Sequence, residues 1–151
     1  MCMKLSITKR AYIAGFLDGD GSVYVRIKPN NTYRFRYQVA PSIVFFQSEK
    51  MKEKFQEFQQ LLGLGTMRRR KDGMLELTVS RIAELETLIE IVKPFVFLKK
   101  RQIELLEEIM NAKEHVEKKE DFQAIVKMAE TLSKLNYSKR RKTYPFVETT
   151  H

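Results

Sequence analysis

Asp18 and Asp20 stand two residues apart in the stretch YIAGFLDGDGSVYV, Tyr12 to Val25, hemmed in by Gly15, Gly19 and Gly21. Closely spaced carboxylates can hold a hard divalent cation, or they can simply shape a turn at a helix end. Softer metal chemistry has no ligands here: the chain has one cysteine, Cys2, and two histidines, His115 and His151, so a structural zinc site is excluded. A calcium loop starting at Asp18 also fails, because its glycine position falls on Val23 and its terminal glutamate position on Pro29. Gly15 carries a further signal. A glycine inside a helix costs about 1 kcal/mol relative to alanine, a cost that accompanies close backbone approach. With Ala14 beside it, the position points to a second helix packing just upstream of the acidic end.

The elements that would hold these groups follow from periodicity. Thr8 caps a helix through about Leu17, with Ala11, Ile13, Ala14 and Phe16 as its apolar surface, and DGDG ends it. Ser22 to Lys28 alternates, Val23, Val25 and Ile27 against Ser22, Tyr24, Arg26 and Lys28, which defines a half-buried strand. Pro29 to Asn31 makes a hairpin turn, and the return strand runs from near Tyr33 to Phe46, with Pro41 at an edge or bulge. Ser48 caps a second helix that Gly63 stops. A second hairpin follows, Thr66 to Arg70 and Met74 to Ser80 around KDG. Ser80 then opens a third helix closed by Pro94. Lys99 to about Glu114 and Asp121 to Asn136 form two more amphipathic helices, ahead of a basic tail from about residue 137.

The order is α+β: helix, hairpin, helix, hairpin, helix, then extra C-terminal helices, in a single domain over 1–151. The two hairpins form one antiparallel sheet with helices on one face. Its other face carries Tyr24, Arg26, Lys28, Arg34, Arg36, Gln38, Arg68, Arg70, Glu76 and Thr78. Arginines, amides, a tyrosine and hydroxyls at period two are the groups that read base edges: arginine pairs with guanine, glutamine with adenine, and glutamate accepts from cytosine. The charge agrees. Twenty-eight Lys and Arg against 19 Asp and Glu give +9 and a pI near 9.7, which favours nucleic acid as partner. No apolar run approaches the roughly 18 residues of a membrane span.

Ile13 to Gly21, IAGFLDGDG, together with IKPNNTYRF, Gln47, KPF…LKKRQ at 93–102 and SKRRKT near the C-terminus, resembles the LAGLIDADG homing endonucleases. One motif in a short chain is similar to their single-motif, homodimeric branch, known from algal chloroplast introns. The resemblance implies an αββαββα fold with a saddle-shaped antiparallel sheet covered by helices. It further implies a divalent-metal-dependent double-strand break with short 3′ overhangs at a long pseudo-palindromic DNA target, which promotes intron homing. The partners would be double-stranded DNA and a second copy of the chain, with no membrane and no small-molecule substrate; the home would be organellar, a chloroplast.

By the same matching, Asp20 ligates the metal with help from the Gly19 carbonyl, and Gln47 and Lys99 are peripheral catalytic residues. Mg²⁺ is the expected ion, with Mn²⁺ or Ca²⁺ able to occupy the same site. Asp18 is expected to shape the helix end. Tyr24, Arg26, Lys28, Asn30, Thr32, Tyr33, Gln38, Ala40, Val44, Arg68, Arg70, Glu76 and Thr78 match DNA-contacting positions, Lys139 and Lys142 match a phosphate-contacting tail, and Ala14 and Gly15 match the dimer helix. The chain departs from the pattern at Met51, where relatives place a basic residue and where Lys50 or Lys52 could substitute. Two other functions fit the same fold: an RNA maturase, and a DNA-binding protein that has lost catalysis.

Overall fold

Ser6 rather than Thr8 caps the first helix, because its hydroxyl accepts the Lys9 amide, and Thr8 lies inside the first turn. The computed structural model describes residues 5–136. The expected contacts Lys139 and Lys142 therefore lie outside the described residues. Helix α1, Ile7–Asp20, runs three residues past Leu17 and ends inside DGDG. Its cap is Gly21, whose amide bonds the Leu17 carbonyl at a φ of −115°. The requirement for glycine there is spatial: a Cβ would sit 2.7 Å from the Leu17 carbonyl oxygen.

Strand β1, Gly21–Pro29, leads straight out of the helix, and β2, Tyr37–Ser48, returns antiparallel to it, pairing Gly21 with Phe45 and Pro29 with Tyr37. A single 3₁₀ turn, Glu49–Met51, capped by Ser48, enters α2, Lys52–Leu62. Gly63 closes α2 in the left-handed region at φ 69°, the conformation a side chain resists. Strands β3, Thr66–Arg69, and β4, Met74–Val79, form the second hairpin, and β4 pairs with the far half of β2. The sheet order is β1-β2-β4-β3. Helices α3, Ile82–Val92, α4, Lys100–Lys113, and α5, Lys119–Leu135, complete the described chain. None of the described helices is long and apolar enough to cross a membrane.

One core lies between the sheet and the helices. Val23, Val25 and Ile27 of β1 and Ile43 and Phe45 of β2 face Ile13, Ala14 and Leu17 of α1, Leu85 and Leu88 of α3, and Ile103 and Leu106 of α4. Phe16 is the aromatic hinge of this layer. It stacks on Phe58 at 4.7 Å between centroids and meets Phe45 edge-on at 5.4 Å, fastening α1 to α2 and to the sheet. The return strand departs most from expectation. Residues 30–36 form a wide turn instead of a three-residue one, so Tyr33, Arg34, Phe35 and Arg36 are not in the strand. Arg36 reverses the chain with a positive φ of 63°, a conformation its side chain gives no sign of.

A candidate nucleic-acid interface beside an acidic helix end

Strand parity divides the sheet as the alternation predicts. The register puts Ser22, Val44, Thr78 and Thr66 in one row, Phe46, Glu76 and Arg68 in the next, and Tyr24 with Ser42, Arg26 with Ala40 and Lys28 with Gln38 beyond. All of these point away from the core helices. The face is wired in advance: the Glu76 carboxylate accepts from Arg68 at 2.8 Å and lies 3.7 Å from Arg70, which also bonds Asp72 at 2.7 Å. Arg26 lies over the Tyr24 ring, 5.3 Å from its centroid. Glu76 thus bonds the Arg68 guanidinium and forms a longer ion pair with Arg70 on the outer face of the sheet. Glu76→Gln is expected to relax base preference opposite Arg68 and Arg70 by about tenfold while leaving total DNA affinity equal or higher, since a negative charge is lost. Competition binding across single-base target variants measures it, and an unchanged preference would refute the role.

Val44 corrects the expectation. It lies on the outer face of the sheet but is only 2% exposed, enclosed between Ser22 of β1 and Thr78 of β4, so no base could touch it as the sheet stands. Parity alone identifies the row, and not how deeply neighbouring strands bury it. Conversely, Arg81 and Lys113 were missed. With Arg26 and Lys28 they line a hollow of about 440 Å³ along the part of β2, before Ile43, that β4 does not pair, and no carboxylate lines it. Burial pushes the Lys113 ammonium below its ordinary pKa, as expected of a desolvated cation. Lys113 comes from α4, so no strand pattern could have found it. The loop residues Asn30, Thr32 and Tyr33 cluster at the hairpin tip, where the Asn30 side chain accepts from the Thr32 amide and hydroxyl.

At the opposite end of β1 lies the acidic helix end. Asp18 accepts the amides of Phe97 at 2.8 Å, Leu98 at 3.2 Å and Lys99 at 3.0 Å, and the Lys99 ammonium donates to the Asp18 carbonyl at 2.8 Å. Helix α4 has no acidic residue in its first turn and no side-chain cap of its own. Asp18 therefore anchors the turn that leads into α4, up to and including its N-cap Lys99, and places negative charge near the positive end of the helix dipole. Arg10 does the reverse one end away. Its guanidinium donates to the Glu90 and Ile91 carbonyls at the C-terminus of α3. The motif helix thus bonds the turn before α4 and the last turn of α3, with charges of the right sign for each. Asp18→Ala should cost about 2–4 kcal/mol in a denaturant melt, because three donors lose a charged acceptor. A loss under about 0.5 kcal/mol would contradict the anchoring role.

Those bonds occupy Asp18. Among the described residues no hydrogen-bond donor meets the Asp20 carboxylate, which is exposed at the last residue of α1. Burial lowers the Lys99 pKa, while the charges of Asp18 and Asp20 work against that fall, so all three groups share one electrostatic environment. Gln47 lies at the same end of the sheet, two residues beyond the level of Gly21, with its side-chain oxygen on the Ser48 amide. One protomer brings no third acidic, histidine or cysteine ligand to this point among the described residues. An exposed carboxylate with an adjacent backbone carbonyl is a hard-oxygen donor set, which fits a Mg²⁺-like cation that keeps most of its waters.

The exposed face of α1 corrects the dimer expectation in part. Ala14 is fully buried in the protomer core, so its side chain cannot meet a second chain. Gly15 and Gly19, one helical turn apart, are open: a Cβ on either would meet nothing within 4 Å. Beside them lie Phe97 and Leu98, 83% and 69% exposed, with Tyr12 and Ile7 further along the helix.

The sheet with its arginine-rich open face beside an acidic helix end describes the architecture, and the LAGLIDADG endonuclease model matches residues 13–109: the chain belongs to that family. It is 31% identical over 136 residues to the DNA endonuclease I-CreI of Chlamydomonas reinhardtii, covering 87% of this chain and 81% of that protein. It is 37% identical over 102 residues to the DNA endonuclease I-CvuI of Chlorella vulgaris, covering 68% of this chain but 63% of that protein, less than two thirds of its length. The crystal structure of I-CvuI with its DNA target in the presence of calcium superposes with a TM-score of 0.83, covering 91% of this chain and 88% of that one. The αββαββα architecture with added C-terminal helices is the same.

Proposed function

We propose that this chain is a homodimeric, sequence-specific DNA endonuclease that requires a divalent metal. It makes a double-strand break with short 3′ overhangs at a long pseudo-palindromic target and so promotes intron homing. The observation that carries the proposal is the continuity of α1 and β1: the free Asp20 carboxylate is joined through Gly21 directly to a strand whose outer face is Tyr24, Arg26 and Lys28. A protein reading a major groove with that face holds its carboxylate near the backbone at a fixed offset. The relatives support the partner, since I-CvuI is crystallised with DNA both with calcium and with magnesium.

Each protomer would supply one Asp20 and one Gly19 carbonyl, and two copies meeting along the Gly15–Gly19 face would complete the acidic pair on a twofold axis. When bound there, the metal supplies an activated water and neutralises charge on the phosphate and the leaving oxygen. The chain's own residues do the rest. Lys99, held by the Asp18 carbonyl, presents a cation to the phosphate. Gln47 offers an amide to solvent at the same end of the sheet, and the arginines fix the register of the duplex. Relatives from Chlorella vulgaris and Chlamydomonas reinhardtii support an organellar intron as the home of the coding sequence.

Met51 favours a second reading, a DNA-binding protein that no longer cuts. It is exposed in the 3₁₀ turn four residues after Gln47, where the family pattern places a cation, with Lys50 and Lys52 on either side. Incubation with a randomised plasmid library in Mg²⁺, with a parallel binding selection, separates the two. Linearised plasmids carrying a common pseudo-palindrome are expected, and selection of bound but uncut sites in both Mg²⁺ and Mn²⁺ would replace the nuclease with the binder.

A further inference from the structure

The hairpin tip that carries Asn30, Thr32 and Tyr33 is far from the acidic end. Nine strand residues, Gly21–Pro29, separate them, about 30 Å at about 3.3 Å per residue. That is the rise of about nine base pairs. A wide turn of mostly exposed residues would ordinarily be free to move, and a moving turn reads bases poorly. This one is closed from within by the Asn30 amide on the Arg36 carbonyl (2.7 Å) and the Arg36 amide on the Tyr33 carbonyl (2.9 Å). It is also held from without. Phe122 of α5, 3% exposed, stacks on Phe35 at 5.9 Å and 20° and on Tyr37 at 5.9 Å and 17°. Arg34 covers the Phe35 ring, 5.4 Å from its centroid. Beside this stack lies a cavity of about 160 Å³ walled by Tyr33, Val116 and Lys113.

The helix that bears Phe122 is itself fixed at both ends. The Asp121 carboxylate accepts the amides of Glu117 at 3.1 Å and Lys118 at 2.9 Å, which keeps its pKa low. The Asn136 side chain donates to the Val23 carbonyl of β1 at 3.0 Å. The clamp therefore ties both the base and the tip of the first hairpin to one helix.

We infer that Phe122 is a positioning residue for base reading: by gripping Phe35 and Tyr37 it sets the orientation of the Asn30–Tyr33 tip, and so determines preference at the outermost base pairs of each half-site. This rests on the DNA-reading function proposed above for the same sheet face. The grip fixes a loop whose residues touch the DNA while Phe122 itself never does. Its effect should fall on the outer positions and leave untouched those facing Arg68 and Arg70, which are anchored on the other hairpin.

The test compares Phe122→Ala, Phe122→Leu and Phe122→Tyr with the unmodified chain in two measurements. Amide hydrogen exchange on the DNA-free protein should show protection at Tyr33 and Arg36 falling about tenfold in the alanine and leucine variants and restored in the tyrosine variant, which keeps the stacked ring. Base preference across the half-site should drop about tenfold at the outer pairs in the same two variants, with inner preference unchanged. The leucine variant keeps an apolar side chain at the site, so matched thermal melts separate loss of the grip from loss of the fold. Unchanged exchange in the tip, or preference lost equally at inner and outer pairs, would overturn the inference. If the unmodified chain selects no DNA at all, the DNA-reading function fails, and the exchange measurement still decides whether Phe122 holds the tip.

Discussion

Asp20→Asn is expected to abolish the proposed cleavage while leaving DNA binding within a few-fold of the unmodified protein. The expected loss is at least about 10³-fold in single-turnover rate, because the carboxylate that would hold the metal is replaced by a neutral amide of the same shape. The argument rests on the contrast between the two aspartates. Asp18 gives its oxygens to three backbone amides of the 97–99 turn and has structural work to do. Asp20 meets no hydrogen-bond donor among the described residues, so its removal leaves no orphaned polar group and should not unfold the chain. The same substitution has a second consequence. Asp20 is one of the two charges that oppose the burial-driven fall of the Lys99 pKa, so its neutralisation moves that pKa further down. The sign follows directly: with less negative charge nearby, the ammonium is less favoured and loses its proton at lower pH. NMR titration of the Lys99 side chain reads this without any DNA present. Cleavage surviving in Asp20→Asn would refute the metal assignment, and a Lys99 pKa that rises would refute the shared environment.

The outline of the fold was legible because burial is written at period two in β1 and at helical spacing in α2 to α5. Every expected helix and strand is present, though the return strand starts at Tyr37 rather than near Tyr33 and α1 ends at Asp20 rather than about Leu17. What was illegible has particular causes. Arg36 reverses the chain with a positive φ that an arginine does not advertise, so the turn after Pro29 looked shorter and the strand longer. The DGDG stretch looked like a terminator, since two glycines disfavour a helix locally. The contacts that outweigh this cost come from residues about eighty positions away, at Phe97, Leu98 and Lys99. Arg10 and the α3 carbonyls are the same kind of case. Ala14 was assigned outward because it adjoins Gly15, yet neighbours on a helix point about 100° apart and only one of them could face a partner. The reading face was legible as a row of residue types, but Val44 shows that a row does not disclose depth. The site residues matched to the family pattern owe their assignment to the motif, since nothing local to Gln47 or Lys99 distinguishes them from any polar residue at a helix start.

Gly15→Leu should leave the protomer as stable as before, or more so, and abolish the dimer. The two expectations pull in opposite directions, which makes the variant discriminating. Within the protomer a Cβ at residue 15 meets no atom within 4 Å, and leucine is favoured over glycine inside a helix by about 1 kcal/mol. A thermal melt under conditions that hold the protein monomeric should therefore rise or stay level. Between protomers the effect is steric. Helices whose axes come within about 8 Å need small residues at the crossing. A leucine on each copy would put two branched side chains into the helix crossing that the proposed dimer needs open. Phe97 and Leu98 are exposed at the same end of α1, and their apolar surface would gain from a partner only if the helices close. Light scattering at micromolar concentration should thus pass from dimer to monomer mass. Double-strand cleavage should fall at least about 100-fold, because each protomer supplies a single Asp20 and the acidic pair is never assembled. A Gly15→Leu chain that still scatters as a dimer would move the interface elsewhere on the molecule, and with it the explanation for two exposed glycines one turn apart, the second of them next to Asp20.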